Sequence, residues 1–101
     1  MRLTKQQHTI ISTTVSEIFG TNAEVWLFGS RVDDNKHGGD IDLLIETNGM
    51  DANEITRAEI SFQSKLQAQL GEQKIDVLVA YPSRKSYPPI FYIAKQTGIL
   101  L

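Results

Sequence analysis

Apolar residues at Ile11, Val15, Ile18 and Phe19 recur at helical spacing and share one face, which predicts a helix from about Thr4 to Phe19. Thr4 with Gln7 three positions on fits a capping box at its start, and Gly20 fits its stop. Val25-Trp26-Leu27-Phe28 is too short a run for a helix and reads as a buried strand that ends at Gly29-Ser30. The polar stretch 31–39 closes on two glycines and reads as a loop, after which Asp40 to Glu46 resumes as a strand. Along it Ile41, Leu43 and Ile45 alternate with Asp40, Asp42 and Leu44, so the two carboxylates point the same way. Their Cα atoms are expected roughly 6.5–7 Å apart, within reach of one cation.

Asp51 followed by Glu54 opens a second predicted helix, with a buried stripe through Ile55, Ala58, Phe62, Leu66 and Leu70 before Gly71. A third strand, Lys74 to Val79, sets Ile75, Val77 and Val79 on one face and Asp76 with Leu78 on the other. Beyond Tyr81 the chain carries Pro82, Pro88, Pro89 and three tyrosines counting Tyr81 itself, then a short apolar stretch around Ile90 to Ala94. The pattern predicts one domain over 1–101, with 82–101 as a C-terminal tail or short helix that starts near Pro89 and stops at Gly98. The order helix-strand-strand-helix-strand implies an α+β, sandwich-like fold. Its small mixed sheet is backed by two main helices, with the acids on the open side and that face covered by a partner or partly by the tail.

Composition narrows this picture. At 101 residues, 41% hydrophobic and 22% charged, the chain has ordinary globular usage. A formal net charge of −2 and scattered basic residues argue against a cationic face for direct duplex DNA binding. With no cysteine, neither a disulfide framework nor a thiolate metal site can form. No apolar run reaches membrane-spanning length and the amino terminus lacks a signal peptide's apolar core, so the expectation is a cytoplasmic protein with no membrane contact.

Aspartates embedded in aliphatic strands lose hydration worth several kcal/mol unless something replaces it, and paired carboxylates repel. A divalent cation at Asp40, Asp42 and Asp76 resolves both problems, and oxygen-only ligands select hard ions such as Mg2+. Two such ions can clamp the attacking and leaving oxygens of a phosphoryl displacement. Taken singly, Asp40 also fits a turn residue after Gly38-Gly39, and Asp42 a solvent-facing strand position. Arg31 is a candidate for offsetting triphosphate charge, with pairing to Asp33 or Asp34 as the ordinary alternative. His37 and His8 read as solvated.

Gly29-Ser30, then residues 31–39, then Asp40-Ile41-Asp42, then Asp76 on a later strand resembles the signature of the DNA polymerase beta-type nucleotidyltransferase superfamily. Its small bacterial branch is the nearest in pattern, the minimal nucleotidyltransferase (MNT) antitoxins paired with HEPN-domain toxins. The resemblance runs from the first helix through the third strand. It implies that Asp40, Asp42 and Asp76 are catalytic and hold two Mg2+ ions, with Mn2+ as a substitute, and that Asp76 serves the ion activating the acceptor hydroxyl. It further implies that Gly29, Ser30 and Arg31 bind the nucleotide, ATP being the substrate and AMP the group moved. The implied acceptor is a tyrosine of a HEPN-type ribonuclease toxin, the chain acting as antitoxin within a hetero-oligomer. A glycine usual shortly after Gly-Ser is delayed here to Gly38, and Gly39 stands where relatives often have serine. The competing reading is a non-catalytic antitoxin-like subunit that neutralises its partner by steric contact. Dehalogenase-like phosphatases are disfavoured by Leu44, where a hydroxyl residue is needed, and sugar-nucleotide transferases by the chain's length.

Overall fold

Reciprocal capping sets the start of both long helices. In α1 (Lys5–Phe19) the Gln7 amide donates to Thr4 Oγ1 at 3.0 Å and the Thr4 amide donates to Gln7 Oε1 at 2.9 Å. In α2 (Ala52–Leu70) the Glu54 amide donates to Asp51 Oδ1 at 2.8 Å and the Asp51 amide donates to Glu54 Oε1 at 3.2 Å. Each helix ends at the glycine the sequence marks, Gly20 and Gly71, whose amides close the last turn onto Ser16 and Gln67. The computed structural model describes residues 3–33, 39–71 and 73–101. The expectations for the amino-terminal Met1-Arg2, for the remainder of the 31–39 loop, for His37 and Gly38, and for Asp34 as a partner of Arg31 lie outside the described residues.

Strands β1 (Glu24–Phe28), β2 (Ile41–Glu46), β3 (Ile75–Ala80) and β4 (Ile99–Leu100) form one mixed sheet in the order β3-β2-β1-β4. β1 runs antiparallel to β2 and to β4, while β2 and β3 are parallel and joined through α2 as the crossover. Strand alternation then divides the core in two. Val25, Leu27, Ile41, Leu43, Ile45, Ile75 and Val79 meet α1 through Ile11, Val15 and Phe19, and meet α2 through Ile55, Ala58, Phe62 and Leu66. Phe19 and Phe62 close that layer edge to face, with centroids 5.6 Å apart. The buried Thr47 hydroxyl donates to the Phe19 carbonyl at 2.9 Å and ties the end of β2 to the end of α1.

The opposite face is covered in part by the tail, one of the two covers expected for it. α3 (Ile90–Thr97), which starts after Pro89 and stops at Gly98 as the sequence indicated, lays Phe91 and Ala94 on Phe28 and Leu44, with Trp26, Leu78 and Tyr87 packed around them. The tail is thus part of the fold, and its last residues add β4, which the sequence pattern did not reveal. Gly98 makes this return possible, since a Cβ there would collide with the Ala94 carbonyl and sit 3.1 Å from that of Leu27. Leu101 then donates its amide to Val25 at 2.8 Å, and its carbonyl lies 3.2 Å from His8 Nε2. His8 is therefore half-buried in a contact with the chain's last residue, where a solvated side chain was expected. No helix among the described residues is long and apolar enough to cross a membrane.

Phe62 is wholly buried between the helices whereas Ile60, on the same helix, is exposed. Phe62→Ala is expected to cost about 3–5 kcal/mol in urea denaturation and Ile60→Ala no more than about 0.5 kcal/mol.

Candidate active site

Three strand ends meet at one edge of the sheet. β1 runs out at Phe28, which lies opposite Asp42 in the antiparallel register, and the chain then turns through a short 3-10 segment, Gly29–Val32. Gly29 adopts φ +76°, and a Cβ on it would strike Asp42 Oδ2 with Asp42 Cγ only 3.2 Å away. Glycine is required there twice over, for its left-handed backbone and for the closeness of the carboxylate. In the parallel register Asp42 faces Asp76 directly, as Ile41 faces Ile75. Two of the three sequence-predicted acids are thereby brought together on neighbouring strands, next to the Gly29-Ser30 bend.

Asp40 is placed differently. It sits just ahead of β2, where the Ile41 amide donates to the Lys74 carbonyl at 3.1 Å, and its Oδ2 lies 3.5 Å from Lys74 Nζ. Its charge still bears on Asp42. Among the described residues no three acidic or histidine side chains close around a single point as they stand. The expected meeting of three carboxylates is thus realised for two, with the third held at the flank by a lysine. Both side chains of that ion pair are exposed, and such pairs contribute about 0–1 kcal/mol, so a multivalent competitor can displace it.

The electrostatics of Asp42 follow from this geometry. Burial raises its carboxyl above the ordinary value, and the charges of Asp76 and Asp40 and a hydrogen bond with Asp76 push the same way, against a smaller opposing pull from Lys74. A half-buried carboxylate that contacts Asp76 and feels the charge of Asp40 is short of positive charge. The donor set is all oxygen, the chemistry that suits a hard divalent cation such as Mg2+.

Ser30 and Arg31 lie in the 3-10 turn beside this pair. The Arg31 Nε and Nη2 groups both donate to the Gly39 carbonyl at 3.4 Å, so the arginine staples the turn to the lead-in of β2.

Two features were missed by sequence reasoning. Lys74 was read only as the start of a strand, although its place two residues before Asp76 puts it on the acids' face once the register is known. The second is what the expected tail helix faces, since its Ile90, Ile93 and Thr97 line a cavity of about 690 Å³ together with Gly29, Asp42 and Asp76. The spacing 90, 93, 97 is a helical stripe and was legible, but nothing local showed what it would face.

A family model described as nucleotidyltransferase domain matches residues 9–98 of this chain, a span that contains every residue of the site. A search of curated proteins returned no matching relative.

The raised Asp42 carboxyl makes a signed prediction. The folded state holds this proton more tightly than the unfolded chain, whose value is about 3.8, so the associated stability is present below that pH and is lost as pH climbs through the raised folded value. In chelator, Asp42→Asn is expected to melt higher than the wild type at pH 7, with the gap closing as pH falls below about 3.8. Thermal melts across pH check this, and a variant that melts lower at pH 7 would contradict it.

Proposed function

The chain belongs to the nucleotidyltransferase-domain family, and from that premise we propose that it transfers a nucleoside monophosphate, AMP from ATP, to a hydroxyl acceptor through Asp42, Asp76 and Asp40. Nucleotidyl transfer is the activity of the family. The observation that carries the finer reading is the in-register pairing of Asp42 with Asp76 directly against a glycine that admits no side chain. Such an arrangement concentrates negative charge where a nucleoside triphosphate brings more of it, and it is workable only with cations shared between protein and phosphate.

In this reading Mg2+, or Mn2+ in its place, is held by Asp42 and Asp76 with Asp40 completing the set, and when bound supplies the charge that offsets the phosphates. Gly29 lets the backbone approach a phosphate closely, and Ser30 offers a hydroxyl beside it. Arg31, held at Gly39, fixes the turn and adds positive charge to its rim. The acceptor hydroxyl passes its proton to the Asp76 carboxylate, its oxygen bonds to the α-phosphorus, and the bond from the α-phosphorus to the bridging oxygen breaks to release pyrophosphate. The protein's share is alignment and fixed charge.

As to the acceptor, we read it as a tyrosine of a HEPN-type toxin, with the chain as the MNT antitoxin of the pair. Support comes from the motif spacing at Gly29-Ser30 and Asp40-Ile41-Asp42. Incubation with Mg2+, labelled ATP and the purified partner is expected to label the partner, and Asp42→Asn to reduce labelling at least about 100-fold. Neutralisation of the partner that persists undiminished in Asp42→Asn would contradict the catalytic reading.

A further inference from the structure

α3 carries two apolar stripes, and only one has a use in the fold. Phe91 and Ala94 are buried against the sheet, whereas Ile90 and Ile93 are 40% and 52% exposed. These exposed aliphatics lie three residues apart and so stand side by side, with Thr97 one turn further on. A short helix that keeps a second aliphatic stripe in water has a reason to do so. Here the stripe forms one wall of the cavity whose other wall holds Gly29, Asp42 and Asp76.

The two walls ask for unlike chemistry. The acidic wall takes phosphate through cations, whereas the aliphatic one takes a flat, weakly polar group. The Thr97 hydroxyl is committed to the Ile93 carbonyl at 2.7 Å, and Phe28, Val32, Val77 and Leu78 add further apolar lining, while Asp33, at the end of the Gly29–Val32 turn, adds a carboxylate to the same cavity. We propose that Ile90 and Ile93 form the nucleobase platform of this site, holding the base by its face, and that the site therefore discriminates poorly among purines. The proposal rests on the nucleotidyl-transfer reading of the acids. An apolar surface reads area and shape, so it favours purines over the smaller pyrimidines, but it leaves the edge that distinguishes adenine from guanine unread.

The test is binding measured by calorimetry in Mg2+, with ATP, GTP, CTP and inorganic tripolyphosphate as probes of the wild type and of Ile93→Asp, Ile90→Ser and Ile93→Leu. These positions are exposed, and melting temperatures verify that each variant is folded. Ile93→Asp and Ile90→Ser are expected to weaken ATP about tenfold or more while leaving tripolyphosphate unchanged, Ile93→Leu to bind as the wild type does, and ATP and GTP to agree within about threefold. Unchanged ATP affinity in both polar variants, an equal loss for tripolyphosphate, or a purine preference beyond about tenfold would overturn the platform. Failure of the wild type to bind tripolyphosphate and every nucleotide alike would instead overturn the reading of the acids on which it rests.

Discussion

The parallel register between β2 and β3 is the constraint on which the site depends. It sets Asp42 beside Asp76 at strand spacing, about 4.8 Å, where two like charges on one face disfavour the pairing that makes them neighbours. What enforces it lies on the other side of the same strands. Ile41, Leu43, Ile45, Ile75 and Val79 are buried under α1 and α2, and a slip of one residue would carry this aliphatic set out of the core and the acids into it. The hydrophobic layer therefore holds an electrostatically unfavourable arrangement in place, and the Asp42 carboxyl is raised first by its burial and then by the neighbouring acids.

The second face shows how a short chain can do two things with one helix. α3 seals Phe28 and Leu44 through Phe91 and Ala94, and turns Ile90 and Ile93 toward the cavity that contains the acids. At its far end Lys95 reaches Glu46 at 2.5 Å and lies 5.3 Å from the centre of the Trp26 ring, which pins the helix against β1 and β2. Glu46 is four residues along β2 from Asp42, roughly 13 Å away, so this anchor is separate from the acidic end. β4 completes the return by pairing with Trp26 and Leu27.

Most of the elements were legible because their signals are local. Thr4 with Gln7 and Asp51 with Glu54 announce helix starts through bonds made within one turn, and alternation in β2 and β3 assigns each side chain to a face. The acids and the Gly29-Ser30 bend were visible as a spaced motif, and the family match spans them. What escaped is non-local. Ile99-Leu100 is too brief to show a period, and its pairing with β1 depends on the turn at Gly98. Lys74 becomes a neighbour of Asp40 only through strand register, which is why a threefold convergence was expected and a pair with a lysine-held flank was found. The sequence left open whether a partner or the tail covers the acids' face, and the place where α3 returns to it is not encoded locally by the proline-rich lead-in.

The proposed chemistry needs a cation shared between Asp42 and Asp76, and anomalous diffraction from crystals grown with manganese and ATP addresses it most directly. It predicts manganese bridging the two carboxylates beside Gly29, with Asp40 swung from Lys74 to the metal. Manganese bound elsewhere, or nucleotide bound while Asp42 and Asp76 remain in direct contact with no ion between them, would contradict it.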